Sequence, residues 1–165
     1  MEEMRVKSAL KDNDYLVLYT RGFNRNSNHH KIIRALRYVD SSKDFKAIFH
    51  HFGQNDHYEK ELKEIIQEYK LEEKVIISHF DLSDHEMKAL YGLADLTFSM
   101  TTKEQFSRTV LEAILSNTNL LLNDIEPYQY LKYFFNWNVE LIDIADEKLL
   151  GRRIHDYVSN RPDTN

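Results

Sequence analysis

Six short apolar runs recur along the chain, and each is followed by a longer stretch whose apolar residues fall at helical spacing. YLVLYT (15–20), FKAIFHHF (45–52), VIISHF (75–80), DLTFSM (95–100), NLLLND (119–124) and VELIDI (139–144) read as strands buried on both faces. Between them, NHHKIIRALRYV (28–39) places Ile32, Ile33, Leu36 and Val39 on one helical face. A second helix runs from about His57 to Tyr69, with Asp56 and Glu59 in capping-box spacing, and Ser83 with Glu86 opens a third through Tyr91. SRTVLEAILSN forms a fourth, Pro127 suits the first turn of a fifth, and DEKLLGRRIHDYV closes the series. Six βα units predict an α/β fold: a Rossmann-like, doubly wound, six-stranded parallel sheet with helices on both faces.

Such sheets bind ligands beyond the carboxyl ends of their strands, where the strand order reverses. With order 3-2-1-4-5-6, the loops over 21–28 and 100–106 flank that crevice. At 165 residues and 42% hydrophobic, the chain supplies one core. The charged residues 1–14 read as a linker or incoming helix, and 15–165 as the domain. Cysteine is absent, which excludes a disulfide framework and thiolate metal sites. A net charge of −5 argues against broad nucleic-acid binding, which needs clustered cations. No apolar run approaches the length of a membrane-spanning helix.

Two features of the expected crevice carry chemistry. The first is EQFSRTVLE, with glutamates at 104 and 112. In an unbroken helix these side chains would lie about 80° apart and about 12 Å along the axis, a poor fit to one small ligand. With Glu104 in the loop and Glu112 in the helix, they can bracket one. The second is RGFNRNSNHHK (21–31), which holds Arg21, Arg25 and Lys31 with no acid, a cationic island in an acidic chain.

The block ADLTFSMTTKEQFSRTVLEAILSNTNLLLND resembles the carboxyl-terminal half of GT-B glycosyltransferases of the family-4 (group 1) type. Ala94, Asp95, Glu104, Phe106, Leu111, Glu112 and Ala113 match that family's pattern in register. The likeness extends through VIISHFDLSDHEMKALYGLAD and, more loosely, over residues 15–145. It implies a donor-binding domain of a retaining glycosyltransferase that moves a sugar from a nucleotide diphosphate sugar to an acceptor hydroxyl. The acceptor, a glycan or lipid-linked glycan, would be held by an amino-terminal domain that these residues do not include. The resemblance further implies a cytoplasmic protein, peripheral at the membrane through that other domain, with no metal or cofactor required.

Carried over residue by residue, Glu104 would orient the donor sugar and Glu112 would accept the ribose hydroxyls. An ionised carboxylate suits both tasks because it accepts from two adjacent hydroxyls at once. Arg21 matches the arginine that offsets the donor diphosphate; the companion lysine falls near Ser27, with Arg25 the nearest replacement. Gly22 would allow close backbone approach. Backbone amides of Gln105, Phe106 and Ser107 would present a helix N-terminus to the anion, and His79 with Phe80 would pack the nucleobase. The family has glycine where Gln105 and Ser107 stand, and Asn117 and Asn119 replace a later glycine-x-proline.

Plainer readings accompany these. Glu104 could be the capping-box partner of Thr101, Glu112 a solvated helix residue, and the arginines a solvated loop. The adjacent pairs His29-His30 and His50-His51 are poorly placed to converge on one ion and read as loop and strand-end residues. Tyr128, Tyr130, Tyr133, Phe134 and Phe135 read as core. Two further readings stand beside the transferase: a degenerate, non-catalytic interaction subunit, favoured by the lost glycines and lysine, and a GT-B sugar-nucleotide epimerase, which the Glu-Ala block fits less well.

Overall fold

The computed structural model describes residues 10, 11, 13–51, 55–79, 81–105, 107–135 (Phe135 by its backbone alone) and 139–160. The elements run β1 (Tyr15–Thr20), a 3-10 turn (Arg25–Ser27), α1 (His29–Leu36), β2 (Phe45–His50), α2 (Asp56–Glu68), β3 (Val75–Ser78) and α3 (Asp84–Leu93). They continue with β4 (Leu96–Ser99), α4 (Arg108–Leu115), β5 (Asn119–Asn123), α5 (Glu126–Phe135), β6 (Val139–Ile142) and α6 (Glu147–Ser159). All six strands are parallel, in the order β3-β2-β1-β4-β5-β6. Most of the expected linker over 1–14 lies outside the described residues; Lys11 N–H donates to Asp14 Oδ2 at 2.8 Å.

Alternation along β1 divides the core into two layers. Tyr15, Val17 and Tyr19 face Ile32, Ile33 and Leu36 of α1, Leu62 of α2, and Leu150 and Ile154 of α6. Leu16 and Leu18 face Met87, Leu90 and Tyr91 of α3, Val110 and Ala113 of α4, and Tyr128 of α5. All six β1 residues are buried, which accounts for their unbroken apolar run. Each fully buried large aliphatic side chain contributes about 1.5–3 kcal/mol. Asp95 closes the β1–β4 junction: its Oδ2 accepts from Leu16 N–H at 2.7 Å, and its own N–H donates to Leu16 O at 2.9 Å.

The helix starts show where local rules held. Ser83 and Glu86 form the expected reciprocal capping box of α3. For α2 the cap is Asn55, whose side chain accepts from Tyr58 N–H at 3.3 Å, in place of the expected Asp56–Glu59 box. Glu59 turns inward and is 8% exposed. The aromatic helix is a larger correction. In α5 only Tyr128 of the described aromatic side chains is buried, while Tyr130, Tyr133 and Phe134 are exposed. Positions 130, 133 and 134 form a helical stripe of their own, on the side away from Tyr128 and Leu131.

Helix α6 packs on α1 at backbone distance. A methyl group built on Gly151 would meet Ala35 O at 2.3 Å and Tyr38 Cβ at 2.7 Å. A backbone oxygen cannot rotate away, so the two helices must separate to admit a side chain. Gly151→Ala is expected to cost about 1–3 kcal/mol of stability, despite a helix-propensity gain of about 1 kcal/mol. Urea melts of the two proteins check this, and an equal or raised midpoint would contradict the packing argument.

Candidate functional site

The loops after β1 and β4 are joined directly. Asn28, in the left-handed region at φ 55°, donates through Nδ2 to Met100 O at 2.7 Å, and Thr102 N–H donates to Asn26 O at 3.0 Å. Asn tolerates that backbone better than most residues. Asn123 at the end of β5 donates to Thr101 O at 2.9 Å, holding the second loop from its other side.

This bracing brings Arg21 to Glu104 as a hydrogen-bonded ion pair, with side-chain exposures of 22% and 12%. The same guanidinium nitrogen, Nη2, reaches Ser107 Oγ at 2.6 Å, Ser99 Oγ at 3.1 Å and Tyr128 OH at 3.4 Å. Tyr128 OH lies 2.5 Å from Ser99 Oγ and 3.3 Å from Glu104 Oε2. Burial pushes the Tyr128 phenol above its ordinary range, so it stays a neutral donor. The buried Arg21 Nε has no hydrogen-bond partner among the described residues.

Helix α4 begins at Arg108, capped by Ser107, whose Oγ accepts from Val110 N–H at 3.3 Å. Glu104 therefore precedes the helix, and the capping-box reading fails: Thr101 Oγ1 bonds to Lys103 instead. The expected row of open amides also changes. Gln105 N–H donates to Glu104 Oε1 at 3.1 Å, Ser107 is the cap, and Phe106 lies outside the described residues, as does Phe80.

Glu112 sits inside α4 and accepts from Arg108 Nε at 2.7 Å. It faces inward enough to line a cavity of about 180 Å³ with Thr20, Leu82, Met87, Tyr91 and Thr109. Thr20 Oγ1 and Tyr91 OH are 2.5 Å apart. Thr20 precedes Arg21 in the chain, so the Glu112 cavity and the Arg21–Glu104 pair adjoin at the end of β1. Glu112 is thus a cavity residue and no far-side solvated glutamate.

The cationic island is a correction. Its loop contains no acid, yet the fold brings Glu104 to Arg21 and Glu61 of α2 to Arg25 at 2.6 Å. Arg25 also lies over the Tyr58 ring at 5.3 Å, directed at α2. Gly22 contributes a carbonyl to Asn24 Nδ2 at 3.1 Å. His79 bonds to His51 at 2.7 Å and Glu59 at 3.1 Å. Burial pushes His29 down to about 3 and His30 down to about 4, so the histidine pair beside the loop is neutral near pH 7.

Tyr128, Ser99, Thr20 and Tyr91 are site residues that their positions in the sequence did not single out. The available signal was weak: Thr20 and Ser99 are polar residues closing apolar strands, at the carboxyl end of the sheet. Tyr91 and Tyr128 look like core residues because they are core residues, with hydroxyls that reach the rim.

A doubly wound parallel sheet with charged and hydroxyl groups at the β1/β4 reversal is a Rossmann-like α/β architecture with a candidate ligand crevice at its switch point. The match to group 1 glycosyl transferases covers residues 1–164, and the chain belongs to that family. Among solved structures, Anabaena HepE in complex with UDP and glucose superposes with TM-score 0.82 at 20% identity, covering 96% of this chain and 42% of that one. A glycosyltransferase from Rickettsia africae gives 0.83 at 21%, with coverages of 96% and 41%. WaaG, a glycosyltransferase involved in lipopolysaccharide biosynthesis, gives 0.79 at 16%, with 98% and 42%. The chain spans under half the length of these structures. No curated protein sequence matches it.

The neutral histidines make stability depend on pH. Between a usual unfolded value of about 6.5 and the native values of about 3 and 4, the unfolded chain binds more protons than the native one. Stability is therefore present above pH 6.5 and is lost as pH falls, by about 1.4 kcal/mol per pH unit for each histidine. Urea melts from pH 7 to pH 5 are expected to show this slope, reduced in His29→Leu. A flat profile in the parent would refute it.

Proposed function

We propose that this chain is the donor-binding domain of a retaining glycosyltransferase, which takes a nucleotide diphosphate sugar and delivers the sugar to an acceptor hydroxyl. The observation that carries the reading is the convergence of Arg21 and Glu104 at the β1/β4 reversal, beside a cavity lined by Glu112. Structures of similar fold bind UDP and glucose, in keeping with such a donor.

In this reading the chain's residues divide the donor between them. Glu112 accepts the ribose hydroxyls, with Tyr91 and Leu82 walling the nucleoside side of the cavity. Arg21 offsets the charge that builds on the departing diphosphate, the main electrostatic task of the transfer. Glu104 aligns the sugar through its hydroxyls, and Tyr128, Ser99 and Ser107 hold both charged groups in register. The acceptor approaches on the face the diphosphate leaves, and the leaving phosphate takes its proton, so no protein base is required. Acceptor contacts and exclusion of water fall to an amino-terminal domain, and this domain by itself binds donor without appreciable turnover.

A second reading, a non-catalytic subunit of the same fold, draws support from two observations. Gln105 N–H is taken by Glu104, and Arg25 is held by Glu61. Calorimetry with uridine, guanosine and adenosine diphosphates separates the readings. Binding of one nucleotide in the micromolar to millimolar range, weakening with salt, supports the donor site; absence of binding by the folded chain supports the subunit.

The two glutamates should respond differently to substitution. Glu112→Gln is expected to lose about 1–3 kcal/mol in nucleoside diphosphate binding, the scale of a charged hydrogen bond. Glu104→Gln frees Arg21 from its carboxylate, so the bare diphosphate should bind as well or up to about tenfold tighter. The extra affinity contributed by the donor sugar should fall in the same variant. Titrations of each variant with one nucleotide, with and without its sugar, check this. Parent-like binding by Glu112→Gln would remove the ribose assignment.

A further inference from the structure

Outside the crevice, three ligating side chains from three separate elements meet. His51 follows β2, Glu59 lies in the first turns of α2, and His79 follows β3, and one ligating atom of each lies within 4.8 Å of the other two. We propose that His51, Glu59 and His79 form a binding site for a divalent transition-metal ion, with zinc(II) the cation their donors fit best.

The site is built in its surroundings. His51 and Glu59 are 6% and 8% exposed. The His51 ring stacks on Phe23 at 3.9 Å with an interplanar angle of 19°, which fixes its direction. His51 Nε2 lies 2.7 Å from His79 Nδ1, and His79 Nε2 lies 3.1 Å from Glu59 Oε1. Zinc–nitrogen bonds of about 2.0–2.1 Å at a tetrahedral angle put two imidazole nitrogens about 3.3 Å apart. The imidazoles must therefore open by little more than half an ångström, and because Glu59 Oε1 faces Nε2, the other nitrogen of the His79 ring, that ring must also turn for all three side chains to share one ion. The adjustment falls to His79, whose side chain is 52% exposed and free to turn on its solvent side.

The donor set selects the ion. Two imidazoles and one carboxylate suit zinc and its neighbours in the transition series, whereas magnesium and calcium prefer oxygen ligands throughout. Three protein ligands leave a coordination position for water or an anionic oxygen. Lys63 Nζ lies 2.7 Å from Glu59 Oε1, so it competes with the ion for that oxygen. Lys63 is 61% exposed, and a surface pair of this kind is surrendered at little cost. The site borders the strand-one loop through Phe23, and it stands independently of the donor-binding proposal.

The test is a zinc(II) titration of the 165-residue chain by calorimetry, with cobalt(II) absorption as a reporter of four-coordinate geometry. The expected result is a single equivalent bound and a four-coordinate cobalt spectrum. His79→Ala, a change at a half-exposed side chain, should lower zinc affinity about 100-fold or more. Glu59→Gln should also weaken it, while His85→Ala on the exposed face of α3 leaves it unchanged. Circular dichroism on every variant separates lost ligation from lost folding. Failure of the folded parent to take up zinc overturns the proposal. So does parent-like affinity in folded His79→Ala, or an equal loss in His85→Ala, either of which would put the ion on other histidines.

Discussion

Strand β1 is hydrogen-bonded along both edges and buried on both faces, and the rest of the fold is arranged around that constraint. Its register with β2 runs from Tyr15↔Phe45 to Thr20↔His50, and β4 joins from the other side at Val17↔Leu96. A strand so enclosed cannot slip without turning its Val and Leu residues out of both layers. The residue that follows it, Arg21, therefore emerges at a fixed point. Asp95, one of the residues shared with the glycosyl transferase pattern, is a structural partner of this strand through Leu16. Part of that shared pattern thus maintains the platform, and part, Glu104 and Glu112, lies at the candidate site.

The site balances its own charge. Arg21 is largely buried, and an isolated guanidinium there would be costly. Glu104 neutralises it, and Tyr128 with the two serines gathers around the same guanidinium nitrogen. Only 22% of the Arg21 side chain and 12% of the Glu104 side chain meet solvent, so the pair is less screened by salt than the exposed Arg108–Glu112 contact. An incoming diphosphate would compete with a carboxylate for this arginine, which favours ligands that also give Glu104 something to accept. A sugar bearing hydroxyls answers that requirement; a bare phosphate does not.

Periodicity was enough for the architecture. The six strands follow from apolar runs, and the loop position of Glu104 follows once they take the order common to such sheets, which they do. What failed to show was pairing over distance. Glu104 is 83 residues from Arg21 and Glu61 is 36 from Arg25, so neither arginine looks neutralised in its own loop. The His51–Glu59–His79 group was hidden for the same reason, since adjacency was the visible feature of the histidines and convergence came from three elements. Local competition explains the displaced cap of α2: Asn55 lies one residue before the helix and outcompetes the adjacent Asp56. The α5 stripe was misassigned because aromatic content was read without regard to which face each ring occupies.

The contact between Gly151 and the Ala35 carbonyl bears on how the chain is made. Helix α1 begins where the strand-one loop ends, and α6, the final element described, covers it from more than a hundred residues away. Strand β1 likewise waits for Asp95 before its second edge is occupied. Closing such long loops is slow relative to forming local helices. Of the six strands, β1 is made before the other five, yet its enclosure waits for β4 and α6. Until those elements are in place, its unpaired backbone edge and its apolar faces stay open to other contacts.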